Sequence, residues 1–279
     1  VRLFLDRAQR GGDELRLTTT TAPLVARIVR RVEGIPLAIE LAAARVGTLG
    51  LTTVATRLDE SFALLANRNR PAADRHATLL ASISWSYELL AVTERRILDR
   101  LSVFLGGFTL AAAEAVCTDT DGNVVDILSA LVDRSLVSID TYGDDEPRYR
   151  LLESLRAFAS ERLVAAGESE IWSDRHLAWI EREAAVRGPA IHGPEMAAQV
   201  AWFEREQDNV RGALRRFDSL ARAGRAVWER WVTLCLNVRP YWYHRGHLRE
   251  GLGSLLEALS VSPRDSSSAV LARISIAHF

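Results

Sequence analysis

Gly34-Ile35-Pro36-Leu37-Ala38-Ile39-Glu40-Leu41-Ala42-Ala43-Ala44-Arg45 is the stretch on which the reading of this chain turns. Glycine tolerates the left-handed backbone that ends a helix, so Gly34 stops the helix arriving from Thr21. Proline fits the first turn of a helix, where its missing N–H is not needed, so Pro36 starts the next one. The result is a rigid, apolar helix–helix corner with a helix start beside it. The arriving helix spans about Thr21 to Val32, with Leu24, Val25, Ile28, Val29 and Val32 on one face. A threonine cap and Pro23 mark its beginning. Residues 1–10 read as the end of another helix, and a short one runs from Thr52 or Thr53 to Leu64.

Working outward, Asn67 to Asp74 is a polar linker. Helices follow over roughly 76–90 and 93–104, then after Thr109 and from Asn123. Ser135-Leu136-Val137-Ser138-Ile139 alternates as a half-buried strand does. A polar turn leads to a return strand with Tyr149, Leu151 and Leu152. Helices followed by a hairpin is the order of a winged helix. Beyond Glu153 the pattern is helical: 153–166, 169–187, 194–204, 206–218, 225–243, 246–259 and 266–278. Glycine and proline separate most of these segments. Antiparallel pairs of about 35–40 residues, stacked as a solenoid, account for them.

The composition is that of an ordinary soluble chain, and a net charge of −1 gives no overall attraction to nucleic acid or anionic membrane. No apolar run reaches the roughly 20 residues that a bilayer span needs. All 35 basic residues are arginine, so neither a Schiff-base lysine nor the lysine of a phosphate loop is available. No G-x-x-x-x-G-K-S/T segment occurs. Cys117 and Cys235 lie far apart in apolar surroundings and read as buried thiols of a reducing cytosol. Asp119-Thr120-Asp121-Gly122-Asn123 opens like a calcium loop but lacks the later glycine and glutamate. His244 and His247 have no third ligand in view, so no metal is expected.

The quoted corner resembles the Gly-Leu-Pro-Leu-Ala motif of the NB-ARC ATPases, within the STAND signal-transduction family. Leu101-Ser102-Val103-Phe104-Leu105-Gly106-Gly107-Phe108-Thr109 and Tyr149-Arg150-Leu151-Leu152-Glu153 resemble the winged-helix part of bacterial STAND transcription regulators, LuxR-type or SARP-type. In that family the motif lies well downstream of the phosphate loop, and only 33 residues precede it here. The resemblance implies a mainly α fragment in three parts. They are an ARC-like helical subdomain over 1–66, a winged helix with a small β-hairpin over 75–166, and a TPR-like solenoid over 167–279. The solenoid was expected to be cut within its last helix.

By the same resemblance, Gly34, Pro36 and Leu37 lie on the adenine side of bound nucleotide. Leu152 and Glu153 occupy the sensor position where many relatives carry a histidine. The ATP or ADP would be bound by the intact protein only, with no cofactor and no catalysis in this fragment. Expected partners are the protein's own upstream nucleotide-binding domain and an unknown inducer or protein at the helical repeats. The expected location is cytoplasmic, away from membrane, with DNA reached only through a separate domain.

The residues themselves add two expectations. The candidate recognition helix, 123–134, offers Asp126, Asp133 and one arginine, Arg134, beside an acidic hairpin tip, a poor match to phosphates. Among the aromatics, Trp228 and Trp231 read as core. Trp242 and Tyr243, with Arg239 and Arg245, read as a groove for an anionic effector or acidic peptide. Two other classes stay open. One is a DNA-binding winged-helix module; the other is the non-catalytic C-terminal part of a multidomain enzyme such as a nucleotide cyclase.

Overall fold

The computed structural model describes residues 1–9, 15–66, 75–117, 123–140 and 146–262. The helix expected at 266–278, the linker at 67–74, most of the calcium-loop-like segment and the hairpin tip lie outside these. The described residues form fourteen helices and one two-stranded sheet, a mainly α fold. They divide into two compact units, Val1–Ser102 with Cys117–Ala166, and Val103–Val116 with Gly167–Phe279.

In the first unit, α1 (Arg2–Gln9), α2 (Thr21–Arg31), α3 (Pro36–Ala43), α4 (Val46–Leu49) and α5 (Leu51–Ala66) gather round one core. Phe4, Val25, Ile28, Ile39, Val54 and Leu58 meet there. Ala81 and Trp85 of α6 (Arg75–Glu88) join the same core, so it does not stop at residue 66. The start of α2 is held by Thr18, whose hydroxyl accepts from the N–H groups of Thr20 and Thr21. Its end uses two left-handed residues, Glu33 (φ 53°) and Gly34 (φ 70°). The Gly34 N–H then reaches back to the Val29 carbonyl at 3.0 Å.

The same unit continues with α7 (Val92–Leu101), α9 (Val124–Asp133), β1 (Ser138–Asp140), β2 (Arg148–Arg150) and α10 (Glu153–Ala165). The strands are antiparallel with Ile139 opposite Tyr149. The first strand begins at residue 138, later than the 135 expected. Ser135 has φ 59°, which is not a strand conformation, and Leu136 and Val137 are both buried before the ladder starts. β2 likewise ends at Arg150, so Leu151 and Leu152 are not strand residues.

The second unit holds α8 (Leu110–Cys117) up to Val116, with α11 (Ser169–Ala190), α12 (Met196–Arg222), α13 (Trp228–Arg245) and α14 (Leu248–Ser260). Two sequence expectations fail here. The helices expected at 194–204 and 206–218 are one helix of 27 residues, because Glu204 to Asp208 contains neither glycine nor proline. The expected break at Gly188-Pro189 lies inside α11. Cross-helix contacts give the directions. Arg187 meets Gln199 and Arg216 meets Asp174, so α11 and α12 run antiparallel. Arg230 pairs with Glu181 and Asn237 abuts Gly188, an offset of 49 residues in both cases. α13 therefore runs parallel to α11, with a longer repeat than the 35–40 residues expected.

The contact at Gly188 is close: a Cβ there would stand 2.0 Å from the Asn237 carbonyl oxygen. Gly188→Ala should therefore push α11 and α13 apart and destabilise the protein by about 1–3 kcal/mol. Thermal melting checks this, and an unchanged midpoint would show that the two helices separate at no cost.

Candidate functional site

The corner at Gly34–Pro36 faces solvent: Gly34 and Pro36 are exposed and Leu37 is half-buried. Ile35 is extended and Pro36 opens α3, as the residue pattern requires. The corner is braced from behind. The Glu33 carboxylate accepts from the Thr78 hydroxyl of α6 at 3.0 Å. Arg45, at the end of the quoted stretch, is 4% exposed and donates to the Ser86 carbonyl at 2.8 Å. Burial pushes its guanidinium down to about 10; the like charge of Arg134 adds to this and Glu94 opposes it. Arg45 remains charged at neutral pH and ties the motif to α6.

α9 is fixed at both ends. At its start Asn123 accepts from the Val125 N–H at 3.1 Å, a side-chain cap. At its end Arg7 of α1 donates to the carbonyls of Val132 (2.8 Å) and Asp133 (3.2 Å) and to the Ser135 hydroxyl. A cation on the last carbonyls of a helix also suits the helix dipole. Arg134 pairs with Glu94 at 2.7 Å, and Glu94 caps α7 by accepting from the Ala91 N–H. The exposed side chains of α9 are Val125, Asp126, Ser129 and Asp133. Two are carboxylates and none is basic.

At the hairpin exit, Leu151 is buried but Leu152 is 44% exposed. Glu153 starts α10 and accepts from Arg156 at 3.0 and 2.6 Å. The Arg156 hydrogen bonds hold its carboxyl below the usual range.

Residues 90–164, from just before α7 through α10, match the family described as Winged helix-turn-helix domain. This segment is similar to a winged helix-turn-helix domain. Within it the β1–β2 hairpin follows α9, the order of a helix and then a wing. The whole chain has relatives as well. It is 39% identical over 279 residues, 98% of its length, to the "Putative HTH-type transcriptional regulator Rv0890c" of Mycobacterium tuberculosis and to its counterpart Mb0914c of Mycobacterium bovis. The chain spans 31% of the length of each. It is also 40% identical over 174 residues, 61% of its length, to the "Uncharacterized protein Rv0894" of M. tuberculosis, covering 44% of that protein.

Of the residues expected to line an effector groove, Trp242 is not at a surface. Trp242 is 1% exposed and belongs to the core. Arg245 donates to the Glu204 carboxylate, Arg239 is half-buried, and Tyr243 stands out at 62% exposure. The helical unit has instead a cleft of about 590 Å³ between α12, α13 and α14. Arg211, Arg215, Asp218, Trp231, Glu250 and Glu257 line it. Arg211 forms two 2.8 Å bonds with Glu250, which hold that carboxyl below its usual range. Arg222 pairs with Asp218. Sequence periodicity could not show this cleft, because its walls come from three helices.

His244 and His247 diverge, one ring facing His192 at 6.3 Å and the other Tyr241 at 5.7 Å. No group of three metal-ligating side chains occurs among the described residues. Nor is any described helix long and apolar enough to cross a membrane.

Proposed function

We propose that this chain is a regulatory part of a cytoplasmic, nucleotide-dependent transcription regulator. Its winged helix acts as a packing module of the switch, and its helical unit receives the inducer or partner. The carrying observation is the alignment of nearly the whole chain with proteins described as putative HTH-type transcriptional regulators, with a winged helix inside it. The exposed Gly34–Pro36 corner supports the nucleotide part, as a surface on which an upstream ATP- or ADP-binding domain docks. The chemistry of nucleotide turnover would reside in that domain, since this chain offers no lysine and no phosphate loop.

The test uses a fluorescent ADP analogue with the full-length protein carrying this segment. Pro36→Ala should weaken binding about tenfold, the effect of losing ~1.4 kcal/mol of contact. Residues 1–279 alone should leave the analogue's anisotropy unchanged. Wild-type affinity in the Pro36→Ala protein would remove the corner from the nucleotide site.

A second reading, direct DNA binding by the winged helix, is favoured by the family match. The acidic outer face of α9 argues against it, because duplex binding is driven by cations that displace counterions from phosphates. Fluorescence anisotropy with duplex DNA at low salt should show no saturable binding by residues 1–279. Salt-sensitive saturation would establish the second reading.

A further inference from the structure

The cleft between α12, α13 and α14 lies wholly within the second unit. Gln207 meets His247 and Arg211 meets Glu250, offsets of 40 and 39 residues. The two contacts advance together along both helices, so α12 and α14 run parallel. In the 39-residue register Ser254 stands opposite Arg215, and Glu257 stands opposite Asp218. The charges along the cleft are therefore ordered. Arg211 and Glu250 close one end, doubly bonded to each other. Next comes Arg215 facing Ser254, and then Asp218 facing Glu257. Asp218 is already engaged by Arg222 at 2.9 and 3.0 Å. Neither the exposed Arg215 guanidinium nor the exposed Glu257 carboxylate has an ion-pair or hydrogen-bond partner among the described residues. Trp231 forms part of the wall, stacked on Phe217 with ring centroids 6.0 Å apart. Its buried indole N–H has no acceptor, which leaves an unsatisfied donor in that wall.

We propose that this cleft binds a zwitterionic amino acid, its carboxylate on Arg215 and its ammonium on Glu257. The proposal rests on the reading that the helical unit receives the inducer, and it names that inducer's chemistry. Three arginines and three carboxylates line the cleft, so it has no net charge to attract a simple anion or cation. A polyanion placed on Arg215 would run into Asp218 and Glu257, and a polycation placed on Glu257 would run into Arg215 and Arg222. A molecule carrying both signs close together meets neither obstacle. The levels of Arg215 and Asp218 are three residues apart, about 4.5 Å along a helix, a spacing that the two charges of an α-amino acid can bridge. A guanidinium fork suits a carboxylate in particular. Leu214, Trp231 and Val261 supply apolar wall for the ligand's side chain.

Titration calorimetry of residues 1–279 with each common L-amino acid tests this. At least one should saturate a single site, and its carboxamide and N-acetyl derivatives should each bind about tenfold or more weakly, the effect of losing one charged hydrogen-bonded contact. The charge-neutral variants give the sharper readout. In Arg215→Gln the amino acid and its carboxamide should bind alike. In Glu257→Gln the amino acid and its N-acetyl derivative should bind alike. Both side chains are exposed, so both variants should melt with the wild type. Saturation by no amino acid would overturn the proposal. Equal affinity of the wild type for the blocked derivatives would also overturn it, while leaving the helical unit as a receptor for another inducer. Wild-type discrimination in both variants would place the amino acid outside this cleft and overturn it as well.

Discussion

Replacing Trp242 with alanine should lower the stability of the helical unit by about 3–5 kcal/mol, the cost of deleting a large buried aromatic side chain. The indole is 1% exposed, among the largest fully buried side chains of the chain. Trp228, by contrast, is half-buried at the start of α13 and lines a shallow cleft with Val227 and Gly224. Its alanine variant should cost about 1 kcal/mol, in proportion to the smaller area it covers. Chemical denaturation of the two variants separates them. A wild-type midpoint for Trp242→Ala, or equal losses in both, would contradict the packing described here.

Acid should weaken the same unit through His176. The imidazole is 4% exposed, set against Phe104 and Trp179. Burial pushes its pKa from 6.5 down to about 4, with Asn209 opposing the shift. The unfolded chain therefore takes up a proton before the folded one does. The stabilisation is complete above pH 6.5, drains away as the pH falls toward 4, and levels off below that. A shift of this size corresponds to about 3 kcal/mol. Carboxylates titrate in the lower part of the window, so the informative quantity is the difference between the wild type and His176→Gln. Stability of the wild type should fall more steeply than that of the variant between pH 6.5 and 4.5. Parallel curves would mean that His176 takes up its proton equally readily in the folded and unfolded chain.

Local signals were legible in the sequence and long-range ones were not. Gly34, Pro36 and Asn123 act on their own neighbours, so the ends of α2, α3 and α9 could be read directly. The pairing of Glu153 with Arg156 was legible for the same reason, a spacing of one helical turn. Trp242 was misplaced because Pro240 and Gly246 on either side suggested a frayed helix end. Pro240 lies within α13, which runs on to Arg245. The two helices expected at 194–204 and 206–218 had no glycine or proline between them, and α12 runs through that point. Nothing in the sequence around Leu105 indicates that its N–H will be bound by Asn209, 104 residues away. The allocation of α8 follows from that contact and from the rings around Phe104.

The parallel contact between α11 and α13 gives the stack a direction. Here a recess at Gly188 receives the protruding carbonyl of Asn237, so the two contact surfaces differ. The α11 side of the contact is a recess and the α13 side a backbone carbonyl, so the two sides differ in what they tolerate. Substitutions that look equivalent by their place in a helix pair are therefore not interchangeable between layers. A side chain too large for the recess at Gly188 meets no such limit at Asn237, whose backbone makes the contact.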